Sequence, residues 1–118
     1  MTKQKEIYKC NICGNIVEVL HHGAGELVCC GQPMQLIVAK IKEEGSEKHL
    51  PVIEKDRVVI GEVEHPSEDN HYIEWIEINT KENSSKKFLN PGDKPEVNIS
   101  GDVISVRAYC NIHGLWKV

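Results

Sequence analysis

The stretch Val103-Ile-Ser-Val-Arg-Ala-Tyr-Cys110 alternates apolar and polar side chains with the two-residue period of a half-buried β-strand. One face carries Ser105 and Arg107, and the other carries Ile104, Val106, Ala108 and Cys110. This phase places the Cys110 sulfur on the apolar face, which is the face that packs against a core. The sequence therefore predicts a strand that presents a thiol from inside the protein.

Other segments have the composition of short strands separated by turn residues. The candidates are 16–20, 58–63 and 71–78, with 36–41 as an extended connection that leads into the polar stretch 42–46. Residues 79–96 are rich in Asn, Ser, Lys, Pro and Gly, and predict a loop with one short strand around Phe88 and Leu89. No segment predicts an amphipathic helix. Short strands with regular turns favour an all-β fold built as an antiparallel sandwich.

The cysteines divide the chain of 118 residues into two parts. Residues 1–36 hold four of the five cysteines and four of the nine glycines. A segment of that length cannot bury enough apolar surface alone, and it needs a metal or a partner. We expect a small metal-binding domain at 1–36 and a β-sandwich domain at 37–118.

Charge and hydropathy exclude several classes of function. The net charge is −4, and the lysines are scattered among acidic residues, which disfavours nucleic acid as a partner. No apolar run reaches membrane-spanning length, and the first residues lack a hydrophobic signal core. We therefore expect a cytoplasmic protein without a membrane partner. In that reducing compartment, thiols serve as ligands more often than they form disulfides.

The first candidate metal site consists of thiols alone. Cys10-Asn-Ile-Cys13 has the spacing of a metal knuckle, in which two sulfurs face one ion and the intervening N–H groups face the sulfurs. The second pair is adjacent, Cys29-Cys30, and the side chains of neighbouring residues diverge, so we expect a distorted tetrahedron. Four thiolates suit zinc or iron. Disulfides and a purely structural zinc site are the alternatives.

The second candidate site combines imidazoles with one thiolate. Its members are His49, His65, His71, Cys110 and His113, where the last two form another knuckle followed by a glycine. Each histidine alone is more often a surface or core residue than a ligand, and His21 and His22 are interpreted as exposed. Four imidazoles and a thiolate overfill tetrahedral zinc but suit iron with one vacant position. A redox metal with an open position is typical of an enzyme.

These motifs together resemble desulfoferrodoxin, the two-iron class of superoxide reductase. The resemblance runs in order through nearly the whole chain. It rests on Tyr8-Lys-Cys10-Asn-Ile-Cys13-Gly14, Leu27-Val-Cys29-Cys30-Gly31, Glu47-Lys48-His49-Leu-Pro51, His65-Pro66, His71-Tyr-Ile-Glu-Trp75 and Cys110-Asn-Ile-His113-Gly-Leu-Trp116. It implies a desulforedoxin-like β domain followed by an immunoglobulin-like β-sandwich, paired as a homodimer.

The resemblance also implies a role for each site residue. The first iron would be held by Cys10, Cys13, Cys29 and Cys30. The catalytic iron would be held by His49, His65, His71 and His113 in its equatorial plane, with Cys110 axial. Glu47 is similar to the carboxylate that can occupy the sixth position of ferric iron, and Lys48 to the cation beside the vacancy. Many relatives carry Met after the His-Pro pair, where this chain has Ser67.

The activity implied by the resemblance is the one-electron reduction of superoxide to hydrogen peroxide in defence against oxidative stress, with a small redox protein such as rubredoxin as electron donor. Three other interpretations remain open at this point. The chain is alternatively an electron carrier with a closed histidine site, a zinc-stabilised binding protein, or a superoxide dismutase. Metal content, optical spectra and peroxide formation distinguish these four.

Overall fold

The computed structural model describes residues 1–41 and 46–118, so most of the polar stretch predicted at 42–46 lies outside the described residues. The chain divides into two compact units, Met1–Val38 and Ala39–Val118. Within the described ranges, nearly all of the regular structure is strand, with one short helix, so the all-β prediction is confirmed. Among the described residues, no helix is long and apolar enough to cross a membrane.

The first unit is a small β structure with few buried apolar side chains. Its strands are β1 (Ile7–Lys9), β2 (Ile16–Glu18), β3 (Val28–Cys29), β4 (Gln32–Pro33) and β5 (Gln35–Ile37). They form an antiparallel sheet in the order β2-β1-β5 and a separate hairpin of β3 with β4. Its buried apolar residues are Ile7, Cys10 and Val19. So small a core agrees with the expectation that a metal stabilises this segment.

The second unit is a two-layer β-sandwich. It contains α1 (Ser46–His49), β6 (Pro51–Ile53), β7 (Arg57–Ile60), β8 (Ile73–Thr80), β9 (Ser84–Phe88), β10 (Glu96–Asn98), β11 (Val103–Cys110) and β12 (Gly114–Lys117). One sheet has the order β10-β7-β6 and the other β12-β11-β8-β9, with antiparallel pairing throughout. Side chains of β7, β8 and β11 form the core between them.

β11 has the predicted ends and largely the predicted phase. Val106, Ala108 and Cys110 are fully buried in the core, so the sulfur does lie on the apolar face. Ile104 is 67% exposed, and the prediction for it was wrong. The pairing with β8 shifts register between Val103 and Ser105, and this irregularity turns Ile104 away from the core.

Several other predicted boundaries differ from the structure; the strands predicted at 16–20 and 71–78 are Ile16–Glu18 and Ile73–Thr80. The strand predicted at 58–63 ends at Ile60, because Gly61 has a φ of +86° and begins a turn. The loop predicted at 79–96 contains a strand of five residues, β9, which pairs with β8 from Trp75↔Phe88 to Asn79↔Ser84. Its sequence is polar because it is an edge strand whose side chains are largely exposed.

Candidate metal centres

The four cysteines of the first unit form one cluster. Their sulfur atoms all lie within 4.8 Å of one another, in the arrangement of a metal site. The Cys13 and Cys29 sulfurs are 3.6 Å apart, and those of the adjacent Cys29 and Cys30 are 4.0 Å apart. All five cysteines of the chain are free thiols, so the disulfide alternative is wrong.

Backbone geometry brings the two knuckles together. The N–H groups of Ile12 and Cys13 both donate to the Cys10 sulfur at 3.4 Å, as the knuckle spacing predicts. In the adjacent pair, Cys30 has a φ of +53°, a left-handed conformation that is uncommon for a residue with a side chain. This turn allows two neighbouring sulfurs to face the same point, where an extended chain would separate them.

The thiol pKa values indicate that the cluster needs a cation. Hydrogen bonds from the backbone of Cys13 and Ile12 lower the pKa of Cys10 to about 6. The neighbouring sulfurs of Cys13, Cys10 and Cys29 raise the pKa of Cys30 to about 12. Four thiolates therefore repel one another without a metal, and a bound metal deprotonates its thiol ligands outright. The donor set fits a four-sulfur metal site.

The second cluster lies in the β-sandwich unit and is largely buried. His49, His65, His71 and Cys110 place one ligand atom each within 4.8 Å of all the others. His113 lies beside two of them, with its Nδ1 3.1 Å from His49 Nε2 and 3.7 Å from the Cys110 sulfur. All five predicted residues therefore meet in one place, with His113 at the exposed side of the group.

Different elements supply each side chain of this second cluster. His49 is the last residue of α1, and His71 precedes β8. Cys110 ends β11, and His113 lies in the turn between β11 and β12. Because the Cys-x-x-His spacing is short, His113 faces the cluster with Nδ1, the ring nitrogen nearer the backbone. The N–H of His113 also donates to the Cys110 sulfur at 3.4 Å, which repeats the geometry of the first knuckle.

Two buried ring nitrogens without hydrogen-bond partners indicate that the second cluster suits a metal ion. Among the described residues, the buried side-chain nitrogens without a hydrogen-bond partner are His65 Nε2 and His71 Nε2. Burying a polar atom without a partner is costly, so such atoms occur where an unseen ligand or ion satisfies them. His65 Nδ1 lies 2.7 Å from the Pro66 carbonyl oxygen, which fixes the ring and leaves Nε2 directed into the cluster.

The electrostatics of the cluster favour neutral imidazoles. Burial, with smaller effects from the nearby His49, His71 and His113, lowers the pKa of His65 to about 4, although the hydrogen bond with the Pro66 carbonyl opposes this shift. Burial also lowers the pKa of His113, with smaller effects from His71, Lys40 and Lys48. Neutral imidazole is the form that binds metals. Burial raises the pKa of the Cys110 thiol, so a cation is needed to hold it as thiolate.

Sequence reasoning missed Gly61, which joins the segments that carry His49 and His65. Its N–H donates to the Leu50 carbonyl at 2.9 Å, and the Val63 N–H donates to the Glu47 carbonyl at 3.0 Å. A Cβ at residue 61 would lie 2.6 Å from the Lys48 carbonyl oxygen and closer still to the Val63 oxygen. Only glycine allows this approach. The one available signal was a glycine inside an otherwise apolar, strand-like run.

The remaining candidate residues lie around the second cluster or away from it. Glu47 and Lys48 are exposed residues of α1, directly before His49. The Ser67 hydroxyl accepts a hydrogen bond from the Gly92 N–H at 2.8 Å, which ties the segment after His65 to the 90–93 turn. His21 and His22, interpreted as exposed, are exposed and stack on each other in the first unit.

Comparisons with known proteins cover both units. The profile of the desulfoferrodoxin N-terminal domain matches residues 2–37, and the desulfoferrodoxin profile matches residues 41–118. The desulfoferrodoxin homolog of Archaeoglobus fulgidus is 54% identical over 123 residues, which cover 99% of this chain and 98% of that protein. The desulfoferrodoxin of Nitratidesulfovibrio vulgaris has the same identity and coverage.

Proteins named superoxide reductase are also similar to this chain. The one from Pyrococcus horikoshii is 32% identical over 96 residues, which cover 60% of this chain and 84% of that protein. The crystal structure of the superoxide reductase from Treponema pallidum matches with a TM-score of 0.76, covering 100% of this chain and 99% of that one. Its identity is 22%, so this likeness concerns the fold.

Each matched region contains one of the two clusters. The four-thiolate cluster falls within residues 2–37, and the cluster of imidazoles and a thiolate falls within residues 41–118. They match the two iron centres of desulfoferrodoxin in donor type and in order along the chain. With both profiles matched and relatives similar over their full length, the chain belongs to the desulfoferrodoxin family.

Proposed function

We propose that this oxidoreductase is a superoxide reductase that converts superoxide to hydrogen peroxide with one electron and two protons. The observation that carries the proposal is the buried cluster in the sandwich unit. There, the orphaned Nε2 atoms of His65 and His71 converge with the Cys110 sulfur on one point. Similarity to proteins named superoxide reductase supports the substrate.

The ligand assignment follows from the two clusters. We assign Cys10, Cys13, Cys29 and Cys30 to the first iron, and His49, His65, His71, His113 and Cys110 to the second. Iron bound in the second cluster would supply the electron by passing between its ferrous and ferric states. The side chains would hold it through neutral nitrogens and one negative sulfur, and the sandwich core keeps water from that sulfur.

Lys48 is the proposed attractor for the substrate. Superoxide is an anion, and the net charge of −4 opposes its approach, so a local cation must outweigh the overall field. Lys48 is exposed on α1 one residue before His49, and its charge reaches His113, whose pKa it helps to lower. Glu47, also exposed on α1, is the proposed carboxylate for the sixth position of ferric iron.

The four-thiolate iron is proposed to store or pass electrons, because all of its positions are filled by sulfur. A small redox protein such as rubredoxin is the proposed donor, and a homodimer is the proposed assembly. The free thiols suit a reducing compartment, so we propose a cytoplasmic location. Size-exclusion chromatography with light scattering tests the homodimer.

The experiment compares two histidine variants in the iron-loaded, reduced protein mixed rapidly with superoxide. We expect His71→Ala to lose the second iron and the reaction with superoxide, while keeping the four-thiolate absorption. His22→Ala, an exposed histidine of the first unit, should keep both irons and the full rate. Fast reduction of superoxide by His71→Ala would overturn the assignment. Wild-type protein that contains zinc and no iron would overturn the proposed activity.

A further inference from the structure

Lys40 contacts the turn between β11 and β12, which follows Cys110 and contains His113. Its N–H donates to the Leu115 carbonyl at 2.8 Å, and its carbonyl accepts from the Lys117 N–H at 2.9 Å, so residue 40 forms a parallel bridge to β12 at Trp116. These two backbone bonds fix where the side chain begins. Residue 40 is therefore held to the second unit beside the turn between β11 and β12.

The Lys40 side chain ends on the backbone of His113. Its Nζ donates to the His113 carbonyl oxygen at 3.1 Å and lies 5.2 Å from the centroid of the Trp116 ring. The Trp116 indole N–H donates to the same carbonyl at 3.2 Å. Trp116 also stacks on the His49 imidazole, with ring centroids 4.8 Å apart and planes 14° apart. The Lys40 ammonium thus contacts both the His113 backbone and the Trp116 ring, which stacks on His49.

The position of the Lys40 charge matters because the Cys110 sulfur is fully buried. The Lys40 ammonium donates to the carbonyl of His113, and the N–H of the same residue donates to the Cys110 sulfur at 3.4 Å, so His113 links the positive charge to the sulfur. A positive charge beside a metal–thiolate unit favours the lower oxidation state of the metal. Charge and hydrogen bonding around ligating sulfurs are established means of setting reduction potentials.

We propose that Lys40 is a positioning residue that also sets the reduction potential of the second iron. It holds the His113 carbonyl and places a positive charge on the thiolate side of the cluster. This role differs from the one proposed for Lys48, because Lys40 contacts the protein backbone behind the ligands. The inference rests on the proposed function only in assuming that iron occupies this cluster.

Three substitutions separate the hydrogen bond from the charge. Lys40→Arg keeps both, Lys40→Gln keeps a donor but removes the charge, and Lys40→Met removes both. Lys81→Met is the matched control, because it removes the same charge from an exposed turn at the far end of β8 from His71. The measurement is the midpoint potential of the second iron in the full-length, iron-loaded protein, followed optically in a redox titration.

We expect Lys40→Met and Lys40→Gln to lower the midpoint potential, with the larger shift in Lys40→Met. Lys40→Arg and Lys81→Met should keep the wild-type value. A wild-type potential in Lys40→Met, or in Lys40→Gln, would overturn the proposal. Iron-loaded wild-type protein that fails to reduce superoxide would refute the proposed function instead, and the potentials of the Lys40 series would still test this inference.

Discussion

Gly61→Ala should weaken the second iron site although residue 61 holds no metal ligand. The φ of +86° at this position costs alanine about 1–2 kcal/mol relative to glycine. The added Cβ would also lie 2.6 Å from the Lys48 carbonyl oxygen, a backbone atom that cannot rotate away. Overpacking of this kind costs a further ~1–3 kcal/mol. The expected total is therefore about 2–5 kcal/mol of unfolding free energy.

Gly92→Ala is the matched control for this substitution. Gly92 has a similar φ of +95°, but an added Cβ would meet nothing within 4 Å. It should cost only the conformational part, about 1–2 kcal/mol. The difference between the two variants, about 1–3 kcal/mol, then measures the close approach of the 61–64 turn to α1.

Urea unfolding followed by tryptophan fluorescence measures this difference, because both tryptophans, Trp75 and Trp116, lie in the second unit. Iron analysis completes the assay. Gly61→Ala should lose iron from the histidine cluster and retain the four-thiolate iron, whereas Gly92→Ala should retain both. Equal unfolding midpoints for the two variants, with full iron content in each, would show that the close approach at Gly61 does not hold the segments of His49 and His65 together.

Lys48→Met should lower the second-order rate with superoxide and flatten its dependence on ionic strength, because the attracting cation is lost; an unchanged salt slope in pulse radiolysis would contradict this role. Glu47→Ala should change the ferric spectrum but barely change the rate, and an identical spectrum would exclude Glu47 as a sixth ligand. Cys13→Ser should destroy the first iron site and leave superoxide reduction nearly intact, as metal analysis and rapid mixing would reveal. Burial raises the pKa of Glu77, but hydrogen bonds from Arg107, Lys86 and Asn79 outweigh burial and lower this pKa from 4.5 to about 2. The ionised Glu77 therefore stabilises the folded protein fully above pH 4.5, and this stabilisation is lost as the pH falls toward 2. Acid unfolding should show this loss, of the order of 3 kcal/mol, and Glu77→Gln should remove that part of the pH dependence.

The sequence predicted the features that depend on local spacing. The two knuckles are contiguous motifs, and their N–H groups reach Cys10 and Cys110 as expected. The phase of β11 follows from alternation alone, which is why Val106 and Ala108 were placed correctly in the core. Such features require no knowledge of which segments pair in the fold.

Features that depend on distant segments were not predictable. Ile104 is exposed because pairing with β8 shifts register beside it, and β9 is a strand because β8 supplies its hydrogen bonds. The tight contact at Gly61 requires α1 and the 61–64 turn to meet, and the contact of Lys40 with the His113 carbonyl spans 73 positions in the chain. In each case the decisive contact comes from tertiary packing, which local pattern does not encode.

The most direct test of the central claim is the product stoichiometry of the reduced, iron-loaded protein with superoxide under anaerobic conditions. We predict one hydrogen peroxide for each superoxide consumed, with one equivalent of iron oxidised for each and no dioxygen released. Half that yield of peroxide with release of dioxygen would show dismutation, and two irons that both stay reduced would show that the cluster of His49, His65, His71, His113 and Cys110 does not act on superoxide. Either result would contradict the account.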